Sequence, residues 1–215
     1  MDEPTRALDV RLEEIIRRNP VPTDPDEDDF AWKLARANEL CDERFPARYV
    51  DAEADHDQVA TWVREYRASA RRARSLLLSG PTGTGKTHQA YGALRAAVSQ
   101  QKPIRWYAIS TADLYAKLRG HVDVEAELRP YLTCSLLLLD DLGAARSTEW
   151  VEEITYRLID GRYRECRPSI FTTNLPTAEL KAALGDRIAS RLAETCTRVV
   201  LSGPDRRRTG PRESA

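Results

Sequence analysis

Gly80-Pro81-Thr82-Gly83-Thr84-Gly85-Lys86-Thr87 fits the pattern G-x-x-x-x-G-K-S/T, and it lies between the apolar run Leu76 to Leu78 and a helical pattern from Thr87 to Ser99. That context is what the motif needs to work. The glycines let the backbone turn so that its N–H groups face phosphate oxygens, and the start of the following helix adds the positive end of its dipole. Lys86 then reaches the β- and γ-phosphates of ATP, and the Thr87 hydroxyl falls on Mg²⁺.

A second anchor is Leu136-Leu137-Leu138-Leu139-Asp140-Asp141, four leucines ending in two carboxylates. A strand buried on both faces reads as continuous apolar sequence, and open α/β sheets bind ligands at the C-terminal ends of their strands. Asp140 is therefore expected to hold Mg²⁺, directly or through water, and Asp141 to orient or deprotonate an attacking water. A third apolar run, Ser169 to Thr172, ends in Thr173 and Asn174, whose amide can hydrogen-bond the water or the γ-phosphate. Asn before Leu175-Pro176 is also an ordinary turn residue.

Around these anchors the chain alternates short apolar runs with helical stretches, including Ile104 to Ile109, Thr111 to Leu118, Val122 to Leu132 and Thr148 to Glu165. Alternation of this kind predicts an α/β fold with a parallel sheet between two helical layers. The final helices, Ala178 to Leu184 and Arg187 to Glu194, lead to an expected last strand, Arg198 to Leu201. Before the motif, Leu8 to Arg18 reads as a short helix, followed by a proline-rich linker. The acidic stretch Asp24 to Asp29 then precedes a helical pattern from Phe30 to Asp42. Asp57 is expected to cap a helix through Val59, Trp62, Val63 and Tyr66. That helix closes on Arg67, Arg71, Arg72 and Arg74, where cations complement the dipole. The expected organisation is a helical arm over 1–45, a nucleotide-binding domain over 46–208 and a loose tail over 209–215.

The formal net charge of −1 over 215 residues gives no global field toward nucleic acid, so contact with DNA must come from local patches. Arg67, Arg71, Arg72 and Arg74 form one such patch. Arg105, Trp106 and Tyr107 form another, although two aromatics in a strand read first as core. No apolar run approaches the ~20 residues of a membrane span, and the N-terminus lacks the pattern of a secretory signal, so a cytoplasmic protein is expected. The four cysteines, Cys41, Cys134, Cys166 and Cys196, have no metal-ligand spacing and are expected to be reduced and mostly buried. Arg187 and Arg191, four apart, share one side of a helix beside the apolar stripe of Ile188 and Leu192.

Taken in order, these residues resemble the DnaC/IstB type of helicase-loader and transposition ATPase, a branch of the AAA+ superfamily. The likeness runs from Phe45 to Arg208. It is carried by Phe45-Pro46-Ala47-Arg48-Tyr49, the Leu76 to His88 string, Leu138 to Ala144, Trp150, Arg162-Tyr163, Thr172 to Leu175 and Asp186 to Leu192. The resemblance implies a P-loop NTPase with Lys86 and Thr87 as Walker A, Asp140 and Asp141 as Walker B, and Asn174 as sensor 1. It further implies Arg191 as an arginine finger with Arg187 beside it, serving the nucleotide of a neighbouring subunit in a homo-oligomer. His88 belongs to the family string and is counted with the cradle, but its chemistry reads as packing. Implied partners are single-stranded DNA and a replicative helicase gripped by the N-terminal arm, or alternatively a transposase acting on duplex DNA. Asp141 stands where many AAA+ relatives carry Glu. After Leu192 too little chain remains for a full helical lid, leaving Arg207 as the candidate sensor 2. Two other classes share the phosphate loop, a small-molecule phosphotransferase and a nucleotide-gated scaffold. The Asp140, Asp141 and Asn174 set suits attack by water better than attack by a small-molecule acceptor.

Overall fold

In the computed structural model, which describes residues 25–99 and 104–205, the five apolar runs pair into one parallel sheet. Its strands are β1 (Ser75–Ser79), β2 (Trp106–Ser110), β3 (Leu136–Asp140), β4 (Ser169–Thr173) and β5 (Cys196–Val200). The order across the sheet is β2-β3-β4-β1-β5. The helices are α1 (Pro25–Arg44), α2 (Asp57–Ala68), α3 (Lys86–Val98), α4 (Thr111–Leu118), α5 (Val124–Thr133), α6 (Glu149–Arg164), α7 (Thr177–Leu184) and α8 (Asp186–Thr195).

Strand periodicity divides the core in two. Leu76, Leu78, Leu136, Leu138 and Ile170 point to one face, where they meet Trp62, Tyr66 and Leu94 of α2 and α3. Leu77, Leu137, Leu139 and Phe171 point to the other, against Leu114, Leu158, Ile188 and Leu192 of α4, α6 and α8. Adjacent residues of a strand face opposite layers, so a central strand covered on both sides must be apolar at every position. The four leucines of β3 meet that demand. The edge strand β2 does not share it, and Trp106 is 7% exposed while its neighbour Tyr107 is 36% exposed. The expectation that both aromatics are core holds for Trp106 alone.

Several local expectations need correction. Asp57 is the first residue of α2, and His56 occupies the cap position without a side-chain bond. α1 starts at Pro25, so the acidic residues after it belong to its first turns instead of preceding it. Pro is well suited to the first helical position, and acids favour the positive end of the dipole. α2 stops at Ala68, so the dipole argument covers Arg67 and not Arg71, Arg72 or Arg74. The arm does not separate cleanly at residue 45, because Cys41 and Phe45 lie inside the first core and Arg95 of α3 pairs with Asp42 at 2.7 Å. The last strand begins at Cys196, two residues early. All four cysteines are free, and Cys166 alone is exposed. Burial pushes the Cys41 thiol up to about 11 and the Cys196 thiol up to about 12. The helix expected over Leu8 to Arg18, the tail over 209–215 and Arg207 lie outside the described residues. No helix among the described residues is long and apolar enough to cross a membrane.

Candidate functional site

The phosphate loop leaves β1 at Gly80 and enters α3 at Lys86. Gly85, at the cap position of α3, has φ 92, which is left-handed backbone that an L side chain resists. Gly80 serves a different need. An added Cβ there would lie 2.0 Å from the carbonyl oxygen of Leu201, since the chain leaving β5 crosses over the loop and bonds Leu201 N to Ser79 O at 2.8 Å. Lys86 is buried, and its Nζ donates to Pro81 O at 2.7 Å within the loop.

β1, β3 and β4 end side by side, which brings the three sequence anchors together. The hydroxyl of Thr87 donates to Asp140 Oδ1 at 3.1 Å, and the fully buried hydroxyl of Thr172 donates to the same oxygen at 2.5 Å. Thr172 Oγ1 also accepts the backbone N–H of Asp141 at 2.9 Å. Asp141 adopts φ 57, a left-handed conformation fixed further by the Thr111 hydroxyl, which donates to its carbonyl at 2.9 Å. The Asn174 amide donates to Asp141 Oδ1 at 3.2 Å. Burial raises Asp140 above the ordinary carboxylate range and the neighbouring Asp141 charge adds to this, while the Thr172 and Thr87 hydroxyls pull it back. Both hydroxyls fall on Oδ1, and among the described residues no side chain donates to Oδ2. A partly buried acid beside a hydroxyl and a second carboxylate suits a hard divalent cation that takes its remaining ligands from phosphate and water.

A pocket of about 520 Å³ opens over this set, lined by Thr82, Gly83, Gly85, Lys86, Thr87, His88, Asp140, Asp141 and Asn174. Arg48 and Tyr49, from a 3-10 turn over Ala47–Tyr49, complete its lining. Tyr49 stacks on Tyr91 of α3 at 4.8 Å, which anchors that turn to the helix behind the cradle. In the sequence the Phe45 to Tyr49 peptide stands out only through the family resemblance. Its Pro46 is the visible signal of a turn, but nothing local says that the turn shares a pocket with residues 82 to 88. Thr172 and Thr111 were missed too, because a strand threonine and a helix-start threonine look like propensity and capping. His88 does line the pocket, and its Nδ1 is buried without a hydrogen-bond partner.

Arg187 and Arg191 are not in this pocket. Arg191 Nη2 pairs with Asp160 Oδ1, and its guanidinium lies between the rings of Tyr156 and Tyr163 at 5.1 and 5.3 Å. Arg187 is exposed, without an ion pair among the described residues. The basic string is dispersed as well: Arg67 donates to Ser99 O at the end of α3, and Arg74 donates to Glu194 O and Cys196 O.

A five-stranded parallel sheet with a phosphate loop after β1 and an acid pair at the end of β3, with β4 between those two strands, defines a P-loop ATPase of the AAA+ class. The chain belongs to the family of IstB-like ATP binding proteins, whose model matches residues 46–210. It is 27% identical over 140 residues to a putative ATP-binding protein in an insertion sequence of Mycobacterium tuberculosis, covering 62% of this chain and 55% of that one. It is 26% identical over 124 residues to the replicative helicase loader DnaC of Buchnera aphidicola, covering 55% of this chain and 50% of that one. The chain thus spans about half the length of the curated relatives it matches. Among solved structures, a crystal structure of the DnaC helicase loader superposes with a TM-score of 0.65 at 28% identity, covering 73% of this chain and all of that one.

Proposed function

We propose that the protein hydrolyses ATP bound with Mg²⁺ in this pocket and uses the cycle to load a replicative helicase onto single-stranded DNA. The hydrogen-bond chain Thr87, Asp140, Thr172, Asp141, Asn174 carries the reading, since it links a magnesium ligand set to a water-activating acid. In this mechanism the loop amides and Lys86 hold the β- and γ-phosphates, and Thr87 and Asp140 hold the cation. The cation supplies charge neutralisation as the γ-phosphoryl leaves. Asp141 accepts a proton from the attacking water, and the Asn174 amide orients that acid and senses the γ-phosphate. Arg191, with Arg187 beside it, reaches the γ-phosphate of the next subunit in an assembled homo-oligomer.

The helicase assignment is supported by the DnaC relatives, and α1 with its exposed Trp32 is the surface of the N-terminal arm offered to the partner. The insertion-sequence relative supports a second reading, a transposition ATPase acting with a transposase on duplex DNA. Affinity capture from the source cell with ATP present tests the two. Recovery of a ring helicase that is lost in a Trp32→Asp variant upholds the first, whereas recovery of a transposase overturns it in favour of the second.

A further inference from the structure

At the far end of the sheet, where β1 and β4 begin, the turn after α2, the end of α6 and the residues before β5 enclose a concave pocket of about 470 Å³. Six arginines line it; Arg164 is paired with Asp160, and the other five are Arg71, Arg72, Arg74, Arg162 and Arg167. Arg162 is 2% exposed, and its donors go to Ser169 Oγ and to the carbonyls of Tyr131, Cys134 and Pro168. Arg74 and Arg167 likewise donate to carbonyl oxygens, the latter to Thr133 O at 2.7 Å. Carbonyls fix these side chains in place and remove none of their charge. Among the described residues not one of the five has a carboxylate at ion-pair distance, and the only acid on the lining is Glu194, whose carboxylate accepts the Tyr163 hydroxyl. In a chain of formal net charge −1, five guanidiniums without a carboxylate partner among the described residues leave a local positive excess around one hollow that suits an external anion.

We propose that this hollow binds the phosphate backbone of nucleic acid, making a second phosphate site on the side of the sheet opposite the nucleotide pocket. Guanidinium forks match phosphate oxygens in pairs, and Arg71 and Arg72 on the rim are exposed on a turn, with no side-chain hydrogen bond or ion pair among the described residues. The strands between the two sites are five residues long, which separates them by about 17 Å. A bound strand therefore leaves the ATP pocket open, while β1 and β4 run from this hollow to the loops that line the ATP pocket. The choice of nucleic acid over other polyanions rests on the proposed role in DNA metabolism, to which the helicase-loader and insertion-sequence relatives point.

The test is equilibrium binding of a labelled 25-nucleotide single strand and its duplex across a salt series, with the full chain and ATP present. An Arg71→Ala/Arg72→Ala variant, which breaks no side-chain hydrogen bond or ion pair among the described residues, is expected to bind DNA on the order of tenfold more weakly at 0.1 M salt. Its log K against log salt slope should fall by about 1.4 for the single strand or 1.8 for the duplex, the loss of two phosphate contacts. ATP affinity stays at the wild-type value. Unchanged DNA affinity and slope in this variant overturn the proposal and leave the proposed function standing; no DNA binding by wild type overturns the proposal together with the loading of a helicase onto DNA, and leaves ATP hydrolysis untouched. A small-anion site is the remaining contrary outcome. It shows as residual nucleotide binding by Lys86→Ala that disappears on adding the two arginine changes while DNA binding persists.

Discussion

Arg191 Nη2 lies 2.5 Å from Asp160 Oδ1, so the arginine that the family pattern assigns to a neighbour's nucleotide is gripped by an acid of its own chain. Asp160 is nearly buried and shares its other oxygen with Arg164 Nε at 3.1 Å, a side chain that is 71% exposed. The buried acid therefore depends mainly on Arg191, and the two tyrosine rings on either side hold the guanidinium flat.

Two consequences of this pair can be separated. Arg191→Ala leaves a buried carboxylate short of its partner and is expected to cost about 1–3 kcal/mol in stability, measured by urea denaturation. As a finger it must also act across a subunit boundary. Arg191→Ala alone and Lys86→Ala alone should then be inactive, while their mixture regains turnover at interfaces that combine an intact cradle with an intact arginine. A mixture with no recovery, from proteins that still assemble, removes the finger role.

The raised affinity of Asp140 for a proton makes magnesium-dependent binding sensitive to acid. With Asp140 holding the cation as proposed, magnesium-assisted ATP binding is expected above the folded-state value and should be lost as pH falls through it, at a pH above the ordinary 3.8. Thr172→Val removes a hydroxyl that pulls this value down, and it should move the acid limb to still higher pH. The stability sign is opposite. The folded chain binds this proton more tightly than the unfolded chain, so stability is present at low pH and declines as pH rises through the window above 3.8. Asp140→Asn should accordingly raise the melting temperature at neutral pH without nucleotide while abolishing the magnesium effect. A lower melting temperature for that variant contradicts the account of its burial.

Arg48 and Tyr49 line the same pocket as the phosphate loop. Arg48→Ala is expected to weaken ATP binding roughly tenfold, the loss of one hydrogen bond to a charged group, with the melting temperature unchanged. Tyr49→Ala also loses the stack on Tyr91 and should lower both. Wild-type nucleotide affinity in Arg48→Ala would move the ligand away from this side chain.

Gly80→Ala tests a packing constraint inside a motif read for chemistry. The new methyl meets the Leu201 carbonyl, so the segment after β5 must move. A Gly to Ala exchange that the backbone tolerates stabilises by up to ~1 kcal/mol; here the clash reverses the sign, and the loss exceeds that amount and appears as a lower urea midpoint.

The readable parts of the fold were those in which one physical demand acts on adjacent residues. β3 must be apolar on both faces, and the loop must turn tightly between a strand and a helix, so both stand out in the chain. What stayed hidden depends on distant partners. Nothing around Thr172 reveals that its hydroxyl meets Asp140, because the pairing of β3 with β4 creates that contact. The end of α2 at Ala68 sends Arg74 to carbonyls some 120 residues away, a destination that helix-dipole reasoning has no means to foresee. Arg191 was legible as a patterned residue on α8, but its partner Asp160 lies on another helix, and only the packing of α6 on α8 joins them.

The central claim is that the loop amides, Lys86, Thr87 and Asp140 converge on a magnesium-bound triphosphate. Titration calorimetry of a slowly hydrolysed ATP analogue, with and without Mg²⁺, measures this directly in wild type and Lys86→Ala. Saturable wild-type binding that tightens with Mg²⁺, and a loss of about 100-fold in Lys86→Ala, is the predicted result. Equal affinity in the two proteins, or wild-type binding indifferent to Mg²⁺, contradicts it.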